Sequence, residues 1–344
     1  MTCSPSPGAP ASAARRRIAV PGPQDLVSIS DSPHAIVSLI HPATSSVDLA
    51  AWVASNRPRL ESLLSHRGAV LFRGFRLAGP AEFHQVVEAW SPNLLTYTYG
   101  STPRSRSSVA GVYTSTEYPA DQSIPQHNEM SYARAWPRNL WFFCHKAASA
   151  GGATPLSSSS KVAARLTRST LRCLADRGVL YVRRYGTGFD LNWQQAFETD
   201  SRSDVASFCR EQGIEFAWSG DGADVLQTSQ VCQAVVEHPV TGAELWFNQA
   251  HLFHSSALAG EVEDHGQLEF TRQAFLGDGE PIPTEMLDEV RAAYVAESVR
   301  EPWQDGDVLL IDNMLVAHGR DPYSGPRRVL VAMTDEYRGI GGTT

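Results

Sequence analysis

The sequence lacks the features that would place the protein in a membrane or on a nucleic acid. No apolar run reaches the roughly 18 residues that a membrane-spanning helix needs. Basic residues number 29 against 37 acidic ones, a net charge of −8 at pH 7, so there is no excess of positive charge to bind phosphates. The five cysteines are scattered and form no CxxC pair. That excludes a zinc ribbon and a disulfide framework and is typical of a reducing compartment.

Apolar side chains are plentiful. They make up 42% of the 344 residues, enough for a large core, and the length fits two domains or one large β-barrel with insertions. Residues 1–20 hold small residues, prolines and Arg15, Arg16 and Arg17, and the prolines at 21 and 23 prevent the apolar stretch of a signal peptide. We therefore expect a disordered N-terminal tail and a cytoplasmic protein with neither a membrane nor a nucleic-acid partner.

Hydrophobic patterning predicts more strands than helices. Helices are predicted near 48–65, around Phe83, Val86, Val87 and Trp90 from their i, i+3, i+4, i+7 spacing, and from Thr284, as N-cap, to about 299. Strands are predicted at 68–75, 140–144, 179–182, 307–312 and 328–333. No GxGxxG motif follows a strand and no regular βαβ alternation appears. The pattern favours a sandwich or barrel with helical insertions over a nucleotide-binding fold.

A candidate metal site starts from His127 and Glu129. If this segment is extended, side chains at i and i+2 point to one face, so an imidazole and a carboxylate can bind one ion. His318, which follows a predicted strand and turn, would complete the two-histidine, one-carboxylate triad of non-heme Fe(II). Arg327 and Arg328 open the next strand, where a guanidinium can bind a dicarboxylate.

The elements of this candidate site differ in how specifically they indicate metal binding. With eleven histidines and 37 acidic residues, an HxE pair arises readily by chance, and a lone histidine is more often a surface or core residue. The combination of HxE, a late histidine after a strand, and arginine on the following strand is much more specific.

At these residues the sequence resembles the TauD/TfdA-like Fe(II)- and 2-oxoglutarate-dependent oxygenases, and within them the SyrP-like branch. The similarity spans about residues 68–333. It is carried by five blocks in family order: GAVLFRGF (68–75), YTSTEYPADQSIPQHNEMSY (113–132), LWFFCHKAASAGGATPL (140–156), LWFNQAHLFHSSAL (245–258) and NMLVAHGRDPYSGPRRVLVAM (313–333).

The resemblance implies a mainly β fold with a double-stranded β-helix (jelly-roll) core of the clavaminate synthase-like/TauD type. It implies that His127, Glu129 and His318 bind Fe(II), and that Thr154 and an arginine bind 2-oxoglutarate. Strand alternation lets only one of two adjacent arginines point inward; Arg328 is favoured and Arg327 stays open. Because ligands 189 residues apart must meet, residues 21–344 are expected to form one domain, with an insertion between 160 and 300.

The implied reaction uses Fe(II), 2-oxoglutarate and O₂ to hydroxylate an unactivated C–H bond of an amino acid or amino-acid-derived natural-product intermediate. The related halogenases replace the carboxylate ligand by a small residue, so Glu129 argues against halogenation. Desaturation or oxidative cyclisation with the same cofactors is the alternative. A jelly-roll binding protein without catalysis is disfavoured, because it would have no need of the whole ligand set.

Substrate contacts are less constrained. In this family the block at 245–258 approaches the active site, and polar residues in two earlier segments can reach it. The candidates are Trp246, Asn248, His251, Arg104, Tyr113 and Thr116, with core packing or a solvated loop as the alternatives. Ser157, Ser158, Ser159 and Ser160 stand where the branch has an Asp-Ser-Arg-like stretch. The substrate, free or presented by a carrier protein, and the oligomeric state are not encoded in any motif.

Overall fold

The computed structural model describes residues 26–339, apart from 103, 106, 116–117, 187–190, 220–224 and 258–270. The predicted N-terminal tail and Thr116 lie outside the described residues. Within the described ranges, no helix has the length and apolar character needed to cross a bilayer.

The described part of the chain contains nineteen strands. They are β1 (Val27–Asp31), β2 (Val37–Pro42), β3 (Ala69–Phe72), β4 (Val112–Thr114), β5 (Ile124–His127), β6 (Ala135–Lys146), β7 (Ala150–Gly151), β8 (Thr154–Ser158), β9 (Val179–Tyr185), β10 (Glu215–Ser219), β11 (Val225–Cys232), β12 (Val235–Glu237), β13 (Glu244–Trp246), β14 (Arg272–Leu276), β15 (Val299–Glu301), β16 (Val308–Asp312), β17 (Val316–Arg320), β18 (Tyr323–Ser324) and β19 (Arg328–Arg338).

Nine α-helices accompany them in the same ranges. They are α1 (Leu49–Ser55), α2 (Arg57–Arg67), α3 (Pro80–Trp90), α4 (Ser159–Arg165), α5 (Arg168–Arg177), α6 (Trp193–Phe197), α7 (Arg202–Gln212), α8 (Ala250–Phe253) and α9 (Thr284–Glu297).

Two sheets form the core. The larger has seven strands in the order β1-β2-β3-β16-β6-β19-β4, and the smaller has four in the order β15-β8-β17-β5. Pairing is antiparallel in both, except between β2 and β3. Buried side chains of the two sheets meet in one cluster, in which Phe142 and Val331 of the large sheet join Leu156 and Val316 of the small one. The predicted mainly β protein with a jelly-roll core is confirmed.

The other face of the large sheet is covered by α1, α2 and α3. Trp52 and Phe83 from the helices pack with Phe72 and Trp141 from the strands. The single helix predicted over 48–65 is wrong, since the chain breaks into α1 and α2 at Asn56. Pro58 lies in the first turn of α2, where its missing N–H costs nothing, whereas within a continuous helix it would remove a hydrogen bond.

Residues 159–298 add helices α4–α9 and a third sheet in the order β10-β11-β9-β14. Their apolar residues form the cluster that contains Tyr181, Trp246 and Phe253. Helix α9 begins at Thr284 as predicted, but Thr284 is its first residue rather than its cap; Pro283 precedes it without a side-chain capping bond.

Candidate metal centre

The site is built where two strands of the small sheet pair. His127, the last residue of β5, lies opposite His318 in the middle of β17, and their ring centroids are 4.6 Å apart. Glu129 follows in a turn, where Met130 takes a positive φ of 55°. The extended conformation considered for residues 127–129 therefore ends at His127. The turn that follows brings Glu129 back toward the two histidines.

The three predicted ligands converge. Among the described residues, His127, Glu129 and His318 form the one group able to hold a metal ion, with ligand atoms within 4.8 Å of one another. His127 Nδ1 donates to Pro125 O at 2.9 Å, which leaves the Nε2 lone pair free to face an ion. His318 Nε2 faces Glu129 Oε2 at 4.0 Å, too far for a hydrogen bond.

Burial keeps both imidazoles neutral. It holds the pKa of His318 well below its usual range, and the neighbouring His127 imidazole and the Arg104 charge lower it further. Burial also lowers the pKa of His127, although Glu129 opposes the shift. A neutral imidazole nitrogen and a carboxylate oxygen 4.0 Å apart are both metal-binding atoms, and their spacing leaves room for a cation that both can bind.

Asn313 holds Glu129 in place by hydrogen bonds to its main chain. Its Oδ1 accepts from Glu129 N at 2.7 Å, and its Nδ2 donates to Glu129 O and to Pro137 O at 2.9 Å each. Asn128, between the two ligands, donates to Asn313 O at 2.6 Å. The turn that carries Glu129 is thus joined to the chain between β16 and β17, which also leads to His318.

Arg104 holds the carboxylate itself. Its Nη2 donates to Glu129 Oε2 at 2.5 Å, and the exposed fractions of the two side chains are 4% and 3%. The guanidinium stacks 4.2 Å from the ring centroid of Tyr97. Burial would lower the pKa of Arg104, but Glu129 outweighs it and raises that pKa above its ordinary value. Arg104 therefore stays charged beside the metal ligands.

These residues open onto one cavity between the two sheets. It is lined by Arg104, Ser115, Ile124, His127, Phe142, Thr154, His318, Gly319, Arg320, Arg327, Val329 and Val331. Thr154 Oγ1 accepts from Trp303 Nε1 at 3.0 Å, so its own hydroxyl proton remains available to a ligand.

Arg327, not Arg328, faces the cavity, so the preference for Arg328 is wrong. Side chains alternate along a strand, and Arg327 shares a face with Val329 and Val331, which line the cavity. Arg328 is exposed at the beginning of β19, opposite Lys146. Arg327 donates through Nε to Gly152 O at 3.1 Å. Burial, and then the charge of Arg320, lowers its pKa.

The two glycines before Thr154 are required by backbone conformation and by close contacts. Gly151 and Gly152 both have a φ of +70°. A Cβ on Gly151 would lie 2.2 Å from Pro322 O, and one on Gly152 would lie 3.1 Å from the Arg327 side chain. The Gly-Gly turn thus allows β7 and β8 to pass close to the arginine.

Four of the predicted substrate residues do not reach this cavity. Trp246 and Asn248 are fully buried, and Asn248 Nδ2 donates to Ala234 O. His251 Nε2 donates to Gln126 O at 3.0 Å, which fixes the strand next to His127. Tyr113 is buried and its hydroxyl accepts from Tyr97 N. They support the walls of the site, and the expectation of direct contact through them is wrong; Arg104 is the described candidate that lines the cavity.

The sequence reading missed three contributors to the site. No motif in the sequence marks Asn313 or Arg320 as part of the site. Arg320 lies two residues beyond His318, and its guanidinium donates to the main-chain oxygens of residues 118, 119 and 122 at 2.5–2.9 Å. Ser159, within the departure from the family pattern, accepts from Asn128 Nδ2 at 3.1 Å. For Arg320, the available signal in the sequence was its position two residues after His318. The contacts of Asn313 and Ser159 join segments that are far apart in the chain.

Comparisons with known proteins agree with this geometry. Residues 35–334 match the family described as taurine catabolism dioxygenase TauD, TfdA family. The chain is 39% identical over 312 residues to the dapdiamide synthesis protein DdaC of Enterobacter agglomerans, covering 89% of this chain and 93% of that protein. It is 32% identical over 314 residues to a clavaminate synthase-like protein of Arabidopsis thaliana, covering 86% and 92%.

A solved structure shares the fold. The crystal structure of PvcB from Pseudomonas aeruginosa superimposes with a TM-score of 0.54 at 17% identity, over 94% of this chain and 95% of that one. A second structure of PvcB is described as an Fe, alpha-ketoglutarate dependent oxygenase from an isonitrile synthetic pathway, with a TM-score of 0.52 at 16% identity, over 95% and 98%.

Proposed function

Because this chain belongs to the TauD/TfdA dioxygenase family, we propose that it hydroxylates an unactivated C–H bond of an amino acid or amino-acid-derived intermediate. It is a non-heme iron dioxygenase that uses Fe(II), 2-oxoglutarate and O₂. The observation that carries the proposal is the convergence of His127, Glu129 and His318, within 4.8 Å, next to the cavity that Arg327 and Thr154 line. The name of DdaC supports a biosynthetic role, and the SyrP-like branch stays a prediction.

One set of residues would bind the metal, and a second set would bind the co-substrate. His127, Glu129 and His318 would hold Fe(II) through two neutral imidazoles and one carboxylate. Arg327 would bind the far carboxylate of 2-oxoglutarate through its planar guanidinium, with a hydrogen bond from the Thr154 hydroxyl. When bound, iron and 2-oxoglutarate supply the oxidation: one atom of O₂ enters succinate as CO₂ leaves, and the other enters the substrate.

The remaining side chains of the cavity keep this chemistry in place. Arg104 bonds the carboxylate of Glu129 and Asn313 bonds its main chain, so both restrict the movement of this side chain away from the ion. Ile124, Phe142, Val329 and Val331 give the cavity an apolar wall, which limits water near the C–H bond to be oxidised. Glu129 occupies the ligand position that a chloride would need, which disfavours halogenation.

The test uses the purified protein without oxygen. Addition of Fe(II) and 2-oxoglutarate should produce the weak visible charge-transfer band of the chelate; a wild-type protein without the band refutes the assignment. A panel of amino acids with O₂ then reports the outcome by product mass and succinate release. A gain of one oxygen supports hydroxylation, whereas a loss of two hydrogens establishes desaturation or cyclisation instead.

A further inference from the structure

The four consecutive serines at 157–160 alternate between buried and partly exposed positions. Ser157 and Ser159 are fully buried, whereas Ser158 and Ser160 are partly exposed. Ser158 caps α4 by accepting from Lys161 N, and Ser160 Oγ contacts Ser158 Oγ at 3.0 Å. The outer pair therefore serves the beginning of the helix. The two buried hydroxyls need other partners, because a buried hydroxyl without a hydrogen bond destabilises the fold.

Ser157 contacts a residue on a strand that is not its neighbour. Its Oγ lies 3.0 Å from the side-chain amide of Gln126 on β5. Strands β8 and β5 lie on opposite sides of β17, so the contact crosses a whole strand. Ser157 is paired with Ala317 of β17, and a Cβ on Gly319 would lie 3.2 Å from Gln126 Cγ. The small size of these two β17 residues leaves the space in which Gln126 reaches Ser157.

The other polar groups of Gln126 are bound as well. When its amide oxygen accepts from Ser157 Oγ at 2.9 Å, its amide nitrogen donates to Tyr294 O, on α9, at 3.2 Å. Its main-chain oxygen accepts from His251 Nε2 at 3.0 Å. The residue that directly precedes His127 is therefore fixed by its side chain and by its main chain.

Ser159 binds the residue that directly follows His127. The side chain of Asn128 is fully buried, and its Nδ2 donates to Ser159 Oγ at 3.1 Å as well as to Asn313 O. Ser159 is itself fixed, because its main-chain N–H donates to Leu315 O at 2.9 Å. The second buried serine thus holds the other side of His127.

The two contacts have the same spacing on both segments. Gln126 and Asn128 are the two neighbours of His127, and the serines that bind them are also two residues apart. We propose that Ser157 and Ser159 are positioning residues, which hold both neighbours of His127 and so fix the direction of its imidazole. This inference rests on the proposed function, in which His127 binds iron. Ligands that are held in place before the ion arrives bind it more tightly.

The experiment measures the Fe(II) affinity of the metal-free protein without oxygen, by competition with a chromophoric chelator. Ser157→Ala and Ser159→Ala should each raise the Kd of Fe(II) about three- to tenfold, less than the roughly 10- to 100-fold typical for a direct partner of a ligand. Ser158→Ala is the matched control. It loses the cap of α4 and should unfold at a lower urea concentration, but its Kd for Fe(II) should stay within about twofold of wild type.

Two further measurements separate positioning from a loss of stability. Co(II) in place of Fe(II) gives visible bands that depend on ligand geometry, and these should change in Ser159→Ala but not in Ser158→Ala. In a double-mutant cycle, Ser159→Ala should raise the Kd of Fe(II) no further once Asn128→Ala has removed the amide that it holds. Ser157→Ala should likewise have no further effect in Gln126→Ala.

The other outcomes overturn the proposal. An unchanged Kd in either serine variant shows that the two do not act as a pair. An equal rise in Ser158→Ala shows that the effect is one of local stability, and a full further rise in the double variants shows that the serines act by another route. Wild-type protein that binds no Fe(II) refutes the metal site and this inference with it. Wild-type protein that binds Fe(II) but gives no chelate band with 2-oxoglutarate refutes the proposed function alone.

Discussion

His127 and His318 are paired residues on neighbouring strands, β5 and β17, with ring centroids 4.6 Å apart. The hydrogen bonds of the small sheet, rather than a flexible loop, therefore set the distance between two candidate ligands that are 191 residues apart in the chain. A metal site whose ligands are held by a sheet before the ion arrives loses little entropy on binding.

We expect His127→Ala to abolish the charge-transfer band of the Fe(II) and 2-oxoglutarate chelate and to reduce product formation by at least a hundredfold. Only two protein ligands remain in that variant. Its thermal unfolding should stay near that of wild type, because His127 is not fully buried. The control is His66→Ala, on the exposed surface of α2. A band that survives in His127→Ala would exclude this residue as a ligand.

Arg327→Gln should raise the Kd of 2-oxoglutarate at least tenfold, because the cavity then lacks the guanidinium beside Thr154. Arg328→Gln is the matched control on the adjacent, exposed residue, and we expect less than a twofold change. Anaerobic titration of the chelate band with 2-oxoglutarate measures both. The opposite order of effects would show that Arg328 turns inward in the loaded enzyme.

Asn313→Ala should weaken iron binding about 10- to 100-fold, since it removes the support of the Glu129 backbone. The unpaired main-chain groups should also lower the free energy of unfolding by about 1–3 kcal/mol. Metal titration and urea denaturation measure the two effects. Asn93→Ala, at an exposed position, is the control. Wild-type iron affinity in Asn313→Ala would mean that Arg104 alone is enough to hold Glu129.

Burial lowers the pKa of His251 to about 3, with opposition from its bond to Gln126 O. An unfolded histidine titrates near pH 6.5, so below that pH the unfolded chain binds more protons than the folded one. The stability that depends on a neutral His251 is thus complete above about pH 6.5 and is lost as the pH falls toward 3, at up to about 1.4 kcal/mol per pH unit.

In His251→Gln the loss of stability between pH 7 and pH 5 should be smaller than in wild type, although its stability at pH 7 is lower. Urea denaturation of the metal-free protein at the two pH values measures this difference. Equal pH dependence in His251→Gln and wild type would show that other buried groups dominate acid unfolding.

The order of the sequence motifs was sufficient to predict the general architecture of the protein. The strand around Val70, the amphipathic helix with Phe83 and Trp90, and the strand leading to Ile311 all have a local signal, namely apolar periodicity bounded by turn residues. The break at Asn56 and the strand end at His127 were missed. Both are decided by local backbone geometry that periodicity does not record: a proline in the first turn of a helix and a positive φ at Met130.

The candidate metal ligands could be predicted from the chain alone, because few residue types bind Fe(II) and their spacing is characteristic of this family. Tertiary structure decided which residues surround them. Choosing Arg327 over Arg328 required the alternation of the folded strand, and assigning Trp246 and His251 to the walls required their burial. Asn313 and Arg104 bond to Glu129 from 184 and 25 residues away. Such contacts depend on how distant segments pack, which a linear pattern of residue types does not encode.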